Sequence, residues 1–270
     1  MVKINTRKLV YTAFIFLVLG IIYAPIILLF VFSFSETPIL DVNNFRPGTG
    51  LYDELFRNSD IREAVINTFV IAIVSGITAT FIGTVACVGI LAMRKRSRGF
   101  VMTLNQIPLI NATIITSFSL VLLFTTLGMF NMGYIRLILS HTLLCLPVVA
   151  LVVLPKLRSL DQNLFEAAQD LGARPLRALF TIIIPQLIPA MFIAFILGFT
   201  FSLDDFIITQ YNNDGVRTIS TLIYSARPVI PPVFRALSAM MFGFVVLMVI
   251  VINVAMWRQN KKRKKLKGGA

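Results

Sequence analysis

Asn163-Leu-Phe-Glu-Ala-Ala-Gln-Asp-Leu-Gly172-Ala-Arg-Pro175-Leu-Arg-Ala-Leu-Phe-Thr-Ile-Ile-Ile-Pro185 is the stretch on which the reading of this chain turns. Asp161 or Asn163 can cap a helix start, and Glu166 follows Asn163 by three residues, as in a capping box. Gly172 is placed to end that helix in the left-handed conformation, and Pro175 suits the first turn of the next one. The segment therefore predicts about two turns of helix and then a sharp elbow. Leu164, Ala168 and Leu171 fall on one face, and Ala167 beside them keeps that face shallow. Such a helix can seat in the groove of a soluble partner. It can equally rest on lipid headgroups, and pattern alone leaves both open.

On either side of this stretch the chain turns apolar and uncharged. Uncharged runs occur six times, at Leu9 to Phe34, Val65 to Met93, within Phe100 to Gly128, Leu137 to Pro155, Ala178 to Leu203 and Ala236 to Trp257. Each can hold the roughly 20 residues that a helix needs to cross about 30 Å of hydrocarbon. They are apolar on every side, and none shows the alternating segments of roughly ten residues that a membrane β-barrel would require. The expectation is an all-α membrane protein, one transmembrane domain over 1–270. Its spans are predicted near 9–34, 65–93, 101–126, 135–156, 179–208 and 236–257, with a polar loop at 158–178.

Composition agrees. Hydrophobic residues make up 57% of the 270 and charged ones 14%, against roughly 25% charged in a soluble domain. A soluble chain this long needs more polar surface to cover its core. The first run follows Lys3, Arg7 and Lys8, yet it is far longer than the roughly 7–15 apolar residues of a signal peptide. It reads as the first span.

Lysine and arginine set the orientation. With the N-terminus in the cytoplasm, the inside segments carry 18 and the outside segments 7 (Arg46, Arg57, Arg62, Arg136, Arg217, Arg227 and Arg235). Six spans also bring both basic tails to the cytoplasmic side. The net charge of +13 is concentrated in part in Arg258 to Lys267, which reads as a stop-transfer cluster beside anionic lipid rather than a nucleic-acid site.

Cys87 and Cys145 lie inside apolar runs and read as small buried hydrophobes. The single histidine, His141, reads as a neutral group bonding across a helix interface in span four. No metal-ligand spacing, nucleophile–base pair or phosphate-binding loop is present in the sequence. The chain is expected to be no enzyme and to hold no cofactor. Two outside segments are predicted to meet something delivered from that side. The first runs from Ser35 to Glu63, with turns marked by Pro38, Pro47, Gly48 and Gly50 and a short surface helix over Leu51 to Arg62. The second, Tyr211 to Arg235, is broken by Pro228, Pro231 and Pro232.

Ser202-Leu203-Asp204-Asp205-Phe206 sets two carboxylates together at the outer part of span five. Either they end the span and face water, or they lie below the surface, since Ile207, Ile208 and Thr209 continue the apolar run. Intramembrane carboxylates are costly, and two adjacent ones repel unless a cation stands nearby. A polyamine would supply that cation, pairing with Asp204 or Asp205 and resting on Phe201, Phe206 or Tyr211. Successive helical residues diverge by about 100°, so one of the two is expected to face the pathway.

Glu166-Ala167-Ala168, three residues, Gly172, nine residues, then Ile182-x-Ile184-Pro185 resembles the EAA loop of binding-protein-dependent ABC importer permeases, departing only where Ile184 replaces leucine. The resemblance implies a type I importer permease fold in a multi-pass protein of the bacterial inner membrane. It implies that Leu164, Glu166, Ala167, Ala168, Leu171 and Gly172 form a coupling helix docked on an ATPase subunit, with Pro185 shaping the elbow. The implied partners are ATP-binding subunits, which hold the ATP, a second homologous permease and an extracytoplasmic substrate-binding protein. The phrase Ser-Leu-Asp-Asp-Phe-Ile-Ile-Thr, 202–209, also resembles the matching segment of spermidine/putrescine permeases. Rival readings are the same transporter class carrying thiamine, ferric iron or an oxyanion, the last disfavoured by two carboxylates. A secondary carrier with a proton site at Asp204 or Asp205 is the other.

Overall fold

A computed structural model describes residues 6–37, 45–161, 163–226 and 230–267. Lys3, Pro38, Arg227 and Pro228, used above for orientation and turns, lie outside the described residues. By internal contacts the chain divides into two compact units, Met1–Arg62 with Ala226–Ala270, and Glu63–Ser225.

The first unit is built on α1 (Thr6–Phe32), α2 (Gly50–Arg57) and α12 (Val233–Lys267). Of the apolar stretch Phe14–Phe32 in α1, Phe32 alone is buried within the chain, as suits a helix whose surroundings are lipid. Beyond α1 the chain folds back through an isolated antiparallel bridge between Ser35 and Pro47. Of the short surface helix expected over 51–62, the first part forms as α2, with Leu51 and Leu55 buried and Phe56 exposed, while Ser59 already opens α3. The Ser33 and Tyr52 hydroxyls lie 2.8 Å apart, and Arg235 of α12 donates to the Thr37 carbonyl at 2.6 Å.

The second unit contains most of α3 (Ser59–Ala92), then α4 (Lys95–Ile110), α5 (Thr113–Thr126), α6 (Gly133–Arg158), α7 (Asn163–Asp170), α8 (Pro175–Ala178), α9 (Ile184–Asp204), α10 (Ile207–Asn212) and α11 (Ile219–Ser225). Its core is a layer of Ala79, Cys87, Cys145, Val149, Val153, Leu187 and Ala194 from α3, α6 and α9. Cys145 also donates its thiol to the Gly198 carbonyl at 3.1 Å. Both cysteines are buried and free, as their apolar surroundings suggest.

Among the described residues five helices are long and apolar enough to cross a membrane, and a sixth span results if the bent pair α4 and α5 counts as one. This pair corrects the third predicted span. The run 101–126 is no straight helix: α4 and α5 meet at 104°, with Asn111 and Ala112 both extended at the corner. Pro108, one turn before it, has no N–H to close the ladder, and asparagine is a poor helix former. Span five is also divided. A π-helical turn, Leu179–Ile183, precedes α9, and α9 ends at Asp204 rather than running to 208. The π turn has a local cause: the Pro185 ring clashes with a carbonyl four residues back, and one extra residue in the turn relieves that.

Candidate functional site

Two places in the second unit carry the predicted site residues. The first is the loop at α7. The Asp161 carboxylate accepts the Asn163 N–H at 3.0 Å, so of the two candidate caps Asp161 serves. At the other end Gly172 has φ +86°. The Ala173 N–H reaches the Ala168 carbonyl at 3.0 Å and the Gly172 N–H reaches Gln169 at 2.8 Å, the paired bonds of a Schellman motif. Pro175 occupies the first turn of α8 as expected.

The faces of α7 differ from the sequence expectation in one respect. Leu164, Glu166, Ala167, Leu171 and Gly172 are exposed, but Ala168 is half-buried, on the side of Phe165. Phe165 packs on the α3–α6–α9 core and anchors the helix. The outward face is therefore centred on Ala167, with Leu164 and Leu171 flanking it. Leu171 is 90% exposed. Pro185 is exposed just beyond the π turn. Behind α7 lies a mainly apolar recess of about 320 Å³, lined by residues including Val88, Leu157 and Phe165, with Asp161 and Glu166 also on its wall.

The second place is the break between α9 and α10. Asp204 closes α9 and is exposed, whereas Asp205 is extended (ψ 117°) and half-buried. The adjacent carboxylates thus part company. Asp205 turns inward, where its carboxylate accepts the Thr209 N–H at 3.2 Å and its carbonyl accepts the Thr209 hydroxyl at 3.0 Å. Thr209 continues into a buried polar line. Its Oγ1 is 3.0 Å from His141 Nε2, His141 Nδ1 is 2.8 Å from Ser202 Oγ, and Ser202 is 3.2 Å from Ser75. A neutral His141 with its proton on Nε2 makes both of its own bonds, donating to Thr209 and accepting from Ser202. His141 is 2% exposed, and its reading as a bridge between helices holds. The line encloses a void of about 10 Å³, the size of one water.

The depth of this break follows from α3. Ser75 lies ten residues beyond Val65, where the apolar run begins. At a rise of 1.5 Å that is roughly 15 Å, half of the roughly 30 Å hydrocarbon core. Asp204 lies two residues outward of Ser202, roughly 3 Å nearer the outer edge, and an exposed carboxylate still inside the apolar thickness must face water or protein rather than lipid tails. Of the predicted aromatic neighbours, Phe201 is 46% exposed. Phe206 stacks on Tyr224 with centroids 5.1 Å apart, and Tyr211 stacks on Phe118 at 4.6 Å. Phe206 and Tyr211 thus each rest on another aromatic of the same chain, while Phe201 and Tyr211 both keep exposed surface.

Outward of the break, α10 is pinned to α5, where the Asn212 amide donates to Ser117 Oγ at 3.2 Å and Ser117 donates to the Ile207 carbonyl at 3.3 Å. The following loop is clamped on α6. Asp214, left-handed at φ 44°, pairs with Arg136 at 3.5 Å and accepts the Met132 N–H at 3.0 Å. A Cβ at Gly133 would strike the Asn213 carbonyl and lie 2.7 Å from Val216 Cγ2. The sequence counted Arg136 only as an outside charge, and nothing in spacing alone pairs it with Asp214.

Comparison with known proteins adds three findings. Residues 79–265 match the family described as "Binding-protein-dependent transport system inner membrane component". The chain is 32% identical over 251 residues to the putrescine transport system permease protein PotI of Escherichia coli K12, covering 90% of this chain and 89% of that one. It is 30% identical over 245 residues to the spermidine/putrescine transport system permease protein PotC of the same organism, covering 90% and 92%. Among solved structures, a chain of a bacterial alginate ABC transporter in complex with a periplasmic protein bound to an alginate pentasaccharide superposes with a TM-score of 0.68. That match has 19% identity and covers 93% and 94% of the two chains, and it shows a shared fold.

Proposed function

This chain belongs to the inner membrane components of binding-protein-dependent transport systems, and from that premise we propose that it is one permease subunit of an ATP-driven polyamine importer. The observation that carries the cargo is Asp204, an exposed carboxylate at a break in span five about halfway through the apolar thickness. A carboxylate there disfavours an anion and suits a flexible polycation whose methylenes can lie on Phe201. The names borne by relatives of about one-third identity, putrescine and spermidine/putrescine permeases, support the same cargo.

In this reading the chain lies in a bacterial inner membrane with both tails in the cytoplasm, beside a second homologous permease. An extracytoplasmic binding protein delivers polyamine to the outer loops. Two ATP-binding subunits hold the nucleotide, and their closure moves α7. Because Phe165 ties α7 to the α3–α6–α9 core, that displacement reaches the break at Asp204–Asp205. The pathway opens outward, accepts the cation and resets on hydrolysis. This chain performs no covalent chemistry.

The test is uptake of labelled putrescine and spermidine into proteoliposomes holding the full transporter, with ATP inside. Uptake should require ATP and be competed by unlabelled polyamine but not by thiamine, ferric iron or an oxyanion. Uptake that survives ATP depletion and collapses with an uncoupler would instead mark an ion-coupled carrier.

A further inference from the structure

We infer that Asp205 is a positioning residue, which holds the break in span five in its bent form, and that it does not bind cargo. The inference rests on the reading of Asp204 as the cargo carboxylate and divides the pair between two roles. The carboxylate of Asp205 is already engaged: it accepts the Thr209 N–H, one of the free amides in the first turn of α10. Its carbonyl accepts the Thr209 hydroxyl, and from Thr209 the line runs through His141 and Ser202 to Ser75. Asp205 is thereby the end of a chain of bonds that joins α3, α6, α9 and α10 at one level. Releasing it would free the first turn of α10 and leave the Thr209–His141 end of the line without its anchor. The neighbouring Asp204 is exposed and closes α9, so it is free to meet a cation.

A capping carboxylate and a cargo carboxylate differ in what can replace them. Asparagine caps a helix about as well as aspartate, since the cap needs an oxygen acceptor and no charge, whereas alanine does not. A site for an ammonium group needs the charge. Polyamine uptake should therefore be measured in proteoliposomes containing the whole transporter, separating KM from maximal rate. Asp204→Asn should raise KM about tenfold or more with the maximal rate little changed. Asp205→Asn should leave both within about twofold of wild type, while Asp205→Ala lowers the maximal rate about fivefold or more at nearly unchanged KM. If Asp205→Ala fails to assemble, the contrast between the two asparagine variants still decides. A rise in KM for Asp205→Asn matching that of Asp204→Asn would make Asp205 a cargo ligand and overturn the inference while leaving polyamine transport intact. Wild-type kinetics in Asp205→Ala would also overturn it. A double Asp204→Asn, Asp205→Asn variant with wild-type KM would instead overturn the cargo site itself.

Discussion

At the residue scale the chemistry of this chain gathers at one histidine and two aspartates. His141 joins Thr209 to Ser202 with no water between them. Replacing it by alanine removes one hydrogen bond from each of two buried hydroxyls and opens a cavity. His141→Ala is expected to destabilise the detergent-solubilised protein by about 1–3 kcal/mol, read as a lowered midpoint of thermal unfolding. An unchanged midpoint would mean that the line contributes nothing to the fold. That His141 bridges helices was legible from its isolation in an apolar run. Its partners were not, because serine and threonine in apolar helices ordinarily bond their own carbonyls four residues back, as Thr200 does with Ile196. Only packing shows that Ser202 and Thr209 turn to the imidazole. The two aspartates were legible as a pair at the end of span five. Their division was not, since it depends on α9 stopping between them.

At the scale of elements, α7 and its elbow were close to fully written in the sequence, because caps and glycine stops are local. Gly172 holds φ +86°, and Gly172→Ala should destabilise this loop by about 1 kcal/mol. The measurable consequence is a fall in polyamine-stimulated ATP hydrolysis by the assembled transporter, with the amount of assembled protein little changed. Phe165 was the missing part of that reading, since it packs against a core assembled from helices distant in sequence. Truncating it should loosen α7, so Phe165→Ala is expected to lower uptake several-fold while ATP hydrolysis persists, an uncoupled phenotype that paired assays would detect. The bend of 104° between α4 and α5 was also missed. A hydropathy reading measures how much apolar chain is available and says nothing of its direction. Pro108 and Asn111 were the only local signals. At the outer end of α6, Gly133→Val should displace the loop at Asn213–Val216, for want of any space for a side chain. Weakened capture of the loaded binding protein would register that displacement.

At the scale of the whole molecule, the membrane class followed from composition and the orientation from 18 lysines and arginines against 7. A reporter active only in the cytoplasm, fused after Ala270, should be active, and the same reporter inserted after Arg57 should not. What no single chain displays is the surface that turns a bundle of apolar helices into a driven pump. In the proposed function that surface is the outward face of α7, where Leu171 and Ala167 stand exposed. The most direct measurement is photocrosslinking in native membranes from a benzophenone amino acid substituted for Ala167, with the same group at exposed Leu139 of α6 as the reference. The account predicts an adduct from position 167, absent from 139, with a subunit that binds ATP. Adducts from 167 with lipid alone, or with no ATP-binding chain, would contradict it.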